Sequence, residues 1–361
     1  MKQRLKKWRL FSIFAILTLV LSGCGEPFLS ALKPAGEVAQ NQYNLMMLST
    51  MIMVFVIAVV VIIYVITLIR FRRKKGEEDK IPKQVEGSHK LEIIWTVIPI
   101  LLLLILAVPT VASTFHLGDT SAMDKKDKDG NRKVLVVDVR ANLYWWEFSY
   151  PDLGIITSQE LVVPTDQKVY FNIISSDIKH SFWIPPIGGK LDANNDNVNK
   201  FWLEFNSEKS EEAGNLFYGK CAELCGPSHG LMDFKVRTMS QDDFAQWVDD
   251  MQNASEPQPA TDLAEQGQEI FADSCLSCHA TSPTDQTPEA GRVGPNLATF
   301  GERTTIAGYL EHDEEHLKAW IRDTQKYKPG NKMPSFDENQ LSDQELDALA
   351  AYLMGLKIQQ Q

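Results

Sequence analysis

Two stretches of the chain carry no charge at all, Leu45 to Ile69 and Ile93 to Phe115. Each exceeds the roughly 20 residues an α-helix needs to cross the hydrocarbon of a bilayer, so each predicts a transmembrane helix. Between them runs RFRRKKGEEDKIPKQVEGSHK, whose cluster of Arg70, Arg72, Arg73, Lys74 and Lys75 predicts a cytoplasmic loop. Residues 24–117 therefore read as a two-helix hairpin, with everything after about residue 116 on the outer face. Tyr64 and Trp95 fit interfacial anchors. From Val134 the pattern shortens to VLVVDV, YWWEFSY, KVYFNII and FWLEF, separated by Pro, Gly and Asp clusters. Short β-rich runs at this spacing predict a β-sandwich or barrel over residues 118–251. Residues 252–262, which contain NASEPQPATD, read as a polar linker. Over residues 263–361 the apolar positions recur at helical spacing, in LAEQGQEIFADSC, EHLKAWIRDTQKY and SDQELDALAAYLMGLK. The last of these opens with Ser342 and Glu345 at the spacing of a capping box.

The first 23 residues have a different pattern. Five positive charges in MKQRLKKWRL precede an apolar run to Val20, too short to span a membrane, and then Leu21-Ser22-Gly23-Cys24. This is the layout of a secretory signal. Its ending resembles a bacterial lipobox, which implies that Cys24 is lipidated and becomes the mature N-terminus. The alternative is a short buried helix with an incidental cysteine.

Charge sharpens the division. The whole chain of 361 residues has a formal charge of −11, but residues 1–117 hold 14 basic and 7 acidic side chains, whereas residues 118–361 hold 22 and 40. An acidic outer part argues against nucleic acid as a partner, since phosphates need a basic footprint. It suits a basic protein partner steered in by opposite charge. The helical block with the last linker residue, residues 262–361, and the preceding residues 118–261 each sum to −9. The two outer domains are thus expected to gain no long-range attraction for each other and to stay in contact through the linker.

Each of the five cysteines has a chemical address. Cys221-Ala-Glu223-Leu-Cys225-Gly-Pro-Ser-His229-Gly-Leu-Met232 gathers two thiols, an imidazole and a thioether within twelve residues, a soft donor set that favours copper over magnesium or calcium. His180, in Asp177-Ile-Lys-His180, supplies a second imidazole. One Cys with two His and a Met would make a mononuclear blue-copper site. Two Cys with three residues between them also allow both sulfurs to bridge two coppers, with one His on each. A Cys2His2 zinc site or a Cys221–Cys225 disulfide are further alternatives, but neither uses Met232.

At these residues the chain resembles subunit II of haem–copper cytochrome c oxidases, over about residues 40–250. The resemblance implies a cupredoxin fold for the β-block and a dinuclear copper A centre. Its ligands would be bridging Cys221 and Cys225, His180, His229, Met232 and the backbone carbonyl of Glu223. It also implies a magnesium ion near the Glu223 carboxylate, at the boundary with the haem-bearing subunit I. His89-Lys-Leu-Glu92-Ile-Ile-Trp95 resembles the start of the family's second span, which makes Glu92 a proton-route candidate. Ala141-Asn-Leu-Tyr144-Trp145-Trp146 resembles the aromatic segment where electrons enter, with Tyr144 standing where the family usually has Trp; Tyr144 and Trp145 are the entry candidates.

Cys275-Leu-Ser-Cys278-His279 is the c-type haem attachment signature, with thioethers from both cysteines and His279 axial to the iron. A thioredoxin-like pair would want a βαβ setting, and this block reads as helical. Met333, in Lys328-Pro-Gly-Asn-Lys-Met333-Pro, resembles the distal ligand of class I cytochromes c, and Gly294-Pro295-Asn-Leu the stretch that packs on the proximal side. Met354 reads as core. His312 and His316 stand i, i+4 on a predicted helix, in surroundings acidic enough to read as a solvated face.

The whole resembles the subunit II of caa3-type oxidases of Gram-positive bacteria. That implies a membrane-anchored chain of three parts: a transmembrane hairpin, a β cupredoxin domain and an all-α class I cytochrome c domain. Electrons from an upstream cytochrome c or reductase would pass from haem c to copper A and on to a haem–copper subunit that reduces oxygen while pumping protons. A copper-A nitric oxide reductase and a membrane-tethered carrier without a catalytic partner are the alternatives.

Overall fold

The structure, a computed structural model, describes Ser12 and residues 25–72, 76, 81, 84, 86–254, 258–285, 287–288 and 291–358. Cys24, the signal segment apart from Ser12, and residues 73–75 lie outside the described residues.

The hairpin consists of helices α1 (Glu37–Arg70) and α2 (His89–Leu117). Each runs past the charge-free stretch that predicts it, because helical backbone bonding continues through flanking polar residues such as Gln40, Asn44 and His89. Their apolar side chains are exposed around the whole circumference, as expected of helices solvated by lipid. α2 carries Pro99 and Pro109 in its interior.

Two five-stranded sheets make up the β-domain. One has the order β3 (Ile155–Ser158), β2 (Trp145–Tyr150), β1 (Leu135–Asn142), β5 (Lys168–Ser175), β8 (Asn199–Glu204). The other runs β4 (Glu160–Pro164), β10 (Asp233–Met239), β9 (Leu216–Cys221), β6 (His180–Trp183), β7 (Leu191–Ala193). β1–β5 and β4–β10 are parallel pairs and the remaining named pairs are antiparallel; among the described residues no strand pair joins the two sheets, so this is a sandwich rather than a closed barrel. Alternate positions of β9 are buried, the period of a strand with one face on a core. Aromatic rings fill the space between the sheets: Phe182 stacks on Phe234 at 4.9 Å, and Trp146 and Phe148 meet both. Such rings supply large burial together with a fixed geometry. A short helix α3 (Ser207–Glu212) and the closing helix α4 (Gln241–Gln252) complete the domain.

The helical block has α5 (Asp262–Ser274), α6 (Glu314–Arg322), the single turn α7 (Thr324–Tyr327) and α8 (Asp343–Met354). The capping box predicted at Ser342 and Glu345 is present, with each side chain bonding the other's backbone N–H. α5 crosses α8 at Gly267, where any Cβ would collide with the Ala348 carbonyl. Phe271, Leu297, Phe300, Leu317, Ile321, Leu346, Leu349 and Leu353 form one core, and Met333, Met354 and Cys275 pack on its edge. The predicted helical pairing of His312 with His316 is corrected here. Asp313 caps α6 by accepting from the His316 N–H at 2.8 Å, so His312 lies before the helix and bonds the Phe300 carbonyl instead.

Candidate metal centres

The first centre is assembled from two adjacent strands and the loop that follows one of them. β6 pairs antiparallel with β9 in a register that sets Phe182 opposite Cys221, and this brings His180 beside the cysteine although 41 residues separate them. The Cys221 and Cys225 sulfurs lie 3.8 Å apart. His180 Nδ1 is 3.8 Å from the Cys221 sulfur and His229 Nδ1 is 3.6 Å from the Cys225 sulfur, so each sulfur has its own imidazole. The Met232 sulfur stands 3.8 Å from Cys225, and the Glu223 carbonyl 3.3 Å from Cys221. His180 and Met232 are fully buried and both cysteines nearly so.

The surroundings hold these donors in place. His180 Nε2 bonds Asp177 Oδ1 at 2.9 Å, which leaves Nδ1 free to face the sulfur. Burial opposes the Asp177 charge. The bonds from His180 and from the Leu143 and Ile178 N–H groups outweigh that and hold its carboxyl at about 2. Contact with Cys225 pulls the Cys221 thiol down, while contact with Cys221 and burial push Cys225 up. The Trp146 ring stands edge-on to His180 and donates from Nε1 to the Met232 carbonyl at 3.3 Å.

Of the entry candidates, Tyr144 reaches the ligand loop: it is 4% exposed, and a Cβ on Gly226 would collide with its hydroxyl. Trp145, half-buried on β2, stands opposite Asn142 of β1 in the sheet register. The Glu223 side chain is exposed, beside Leu224 at 78%. Glu92 sits in the exposed first turn of α2, 3.6 Å from His89.

The second centre begins where α5 ends. Cys275 and Cys278 occupy the turn after the helix, and His279 follows. The His279 ring donates from Nδ1 to the Pro295 carbonyl at 2.8 Å, and burial lowers its pKa. The imidazole is therefore neutral, with Nε2 available as a ligand. Met333 lies on a loop pinned by Asn331 Oδ1 on its N–H and by Thr324 Oγ1 on its carbonyl. Arg303 is buried, bonds the Asn296 carbonyl and leaves its Nε without a partner. A buried guanidinium with an unmatched donor fits a group that brings its own carboxylates, as haem does. Sequence reasoning missed Asp177, Trp146 and Arg303; the nearness of Asp177 to His180 in Asp177-Ile-Lys-His180 was the only signal available for any of them.

Comparison with known proteins agrees with this arrangement. Residues 30–112 match "Cytochrome C oxidase subunit II, transmembrane domain", residues 152–239 match "Cytochrome C oxidase subunit II, periplasmic domain", and residues 264–357 match "Cytochrome c". "Cytochrome c oxidase subunit 2" of Bacillus sp. (strain PS3) is 62% identical over 359 residues, 99% of this chain and 100% of the relative. The chain belongs to the cytochrome c oxidase subunit II family. The protein of the same description from Bacillus subtilis (strain 168) is 60% identical over 353 residues, 98% of each chain. A solved periplasmic domain of subunit II from Bradyrhizobium japonicum is 28% identical, covering 32% of this chain and 91% of its own, with a TM-score of 0.29. Membership makes the chain a membrane-anchored electron-transfer subunit of an oxidoreductase, with copper A in the β-domain and haem c in the helical one. It also implies association with other oxidase subunits such as subunit I.

Proposed function

We propose that this chain takes electrons at its own haem c, passes them to copper A and delivers them to a haem–copper subunit I that reduces oxygen to water. The observation that carries the reading is the pair of sulfurs 3.8 Å apart, each with its own imidazole. A zinc site would use the same four donors but leaves no role for the Met232 sulfur and the Glu223 carbonyl beside them.

Cys221, Cys225, His180, His229, Met232 and the Glu223 carbonyl would together hold the copper pair. Cys275 and Cys278 would hold haem covalently, and His279 and Met333 are the residues that would ligate its iron. Bound there, both groups supply one-electron chemistry, and a Met–His pair favours a high haem potential. The protein's share is positional. Asp177 fixes the His180 tautomer, the Pro295 carbonyl fixes that of His279, and the rings around Trp146 exclude water from the copper ligands. A magnesium ion at Glu223 would take further ligands from another subunit, since among the described residues Glu223 belongs to no cluster of three ligating side chains. Proton pumping and the Glu92 route belong to the assembled complex, and Cys24 lipidation rests on the Leu-Ser-Gly-Cys ending.

The deciding experiment is to purify the intact membrane complex and compare oxygen uptake with nitric oxide reduction, using reduced cytochrome c as donor. Oxygen uptake with both copper A and haem c spectra is the expected result. Nitric oxide turnover without oxygen uptake would overturn the choice of acceptor. One zinc and no copper in the outer domain would overturn the site.

A further inference from the structure

The helical domain is seated on the β-domain through a contact of unusual chemistry. Glu147 of β2 is 2% exposed and lies between two guanidinium groups. Arg140 of β1 donates to it from Nε and Nη2 at 3.1 and 2.8 Å, and Arg292 of the helical domain donates from Nε and Nη2 at 3.1 and 3.0 Å. Arg140 also bonds the Arg292 carbonyl at 3.2 Å, which closes the triad. Around it the Ile156 N–H, on edge strand β3, donates to the Pro283 carbonyl at 2.8 Å, and the Asn296 N–H donates to Ser158 Oγ at 3.0 Å. The Thr304 N–H donates to Glu160 at 2.8 Å, and Lys332 pairs with Asp177 at 3.6 Å.

These contacts correct the expectation that two domains of −9 are held together by their linker alone. Net charge sums over the whole surface, whereas the interface sets Arg292 and Lys332 against Glu147 and Asp177. The same pose lays the loop before Met333 over the copper ligands. Ser228, fully buried and next to His229, donates from Oγ to the Pro329 carbonyl at 2.7 Å. Gly330, at φ +81°, comes so close to Tyr144 that a Cβ there would stand 3.2 Å from its hydroxyl.

The geometry points to Arg292 and Glu147 as positioning residues that clamp the haem domain in one pose. In that pose the Ser228–Pro329 hydrogen bond is the crossing point for electrons, and the Pro329–Gly330 loop is a cover that keeps external donors off Tyr144 and the copper ligands. The inference rests on the proposed reading of both metal centres. The transfer is a single electron: the iron on the donor side is oxidised by one unit, the copper pair on the acceptor side is reduced by one, and no bond or proton moves. A basic cytochrome outside would accordingly be oxidised at the haem domain and not at the β-domain.

The clamp can be read independently of any redox signal through amide hydrogen exchange on the full-length, cofactor-loaded chain. Ile156 and Asn296 have their amide acceptors in the other domain, so they are expected to be protected, and Arg292→Ala should speed their exchange at least about thirtyfold, the cost of stripping one partner from a buried charge. Leu297, whose N–H bonds Ala280 within its own domain, should not change. Arg292→Lys, which keeps the charge but not the fork, should fall between. Unprotected Ile156 and Asn296 in the unmodified chain would overturn the pose, and unchanged protection in Arg292→Ala would overturn the clamp. In the intact complex, flash reduction of the haem should show slower transfer to copper in both Arg292→Ala and Ser228→Ala with both spectra intact; an unchanged rate in Ser228→Ala removes the crossing point. Direct reduction of copper by added basic cytochrome should appear in Arg292→Ala only, and equal reduction in the unmodified complex removes the cover. Missing copper or haem spectra in the unmodified protein would instead break the reading of the centres and leave the exchange result standing.

Discussion

The two metal centres solve one problem, holding a redox group, in opposite ways. At the copper centre the donors come from β6, the end of β9 and the loop that follows, all anchored to a sandwich whose core of Trp146, Phe148, Phe182 and Phe234 is complete on its own. At the haem centre the candidate ligands run from Cys275 to Met333, across most of a small domain with a single core cluster. Cys278 is exposed, and the Arg303 Nε is left without a partner. Ligands grouped on a finished framework let the metal add to a fold, whereas ligands spread over a small domain make the bound group part of what the fold depends on.

The largest expected effect tests that contrast directly. Replacing both Cys275 and Cys278 with Ala should cost the helical domain most of its amide protection, at Leu297 and Phe336 for example, while copper chelation should leave the β-domain folded with only a shift in Tm. Comparable loss of protection in both domains would break the contrast. Next in size, Cys221→Ser or Cys225→Ser should abolish the dinuclear copper spectrum and electron delivery while the haem c spectrum persists. Asp177→Asn should then lower copper affinity by about 10- to 100-fold, the usual weight of an outer partner that orients a ligating imidazole, as read by competition with a chelator. Smaller again, Met333→Ala should leave haem attached but lower its potential, measured by redox titration, because the thioether favours ferrous iron. The smallest is Ser342→Ala, which removes the α8 cap and should cost the helical domain about 1 kcal/mol in thermal unfolding.

Much of this was legible because the signals are local. Cys221, Cys225, His229 and Met232 stand within one short segment, so their spacing alone brings the donors within reach of one centre. The attachment motif and the α8 capping box are local in the same sense, and both spans follow from unbroken apolar length. His312 shows the limit of periodicity: its i, i+4 spacing with His316 looks helical, yet Asp313 starts the helix one residue after it. The capping signal of Asp313 followed by Glu314 and Glu315 was in the sequence and outweighs the spacing.

Sequence by itself determined the order of the parts, the membrane spans and the identity of most candidate ligands, since each depends on residues within a few turns of one another. Only the tertiary structure decided which side chains support them. Asp177 became the orienting partner of His180 through the turn into β6, and Trp146 reached the Met232 carbonyl from 86 residues away. Glu147 found Arg292 across 145 residues. Contacts of that range depend on how sheets stack and domains meet, which neither the period of an apolar pattern nor a sum of charges encodes. The same net charge of −9 on both domains predicted indifference, and the fold placed opposite charges face to face.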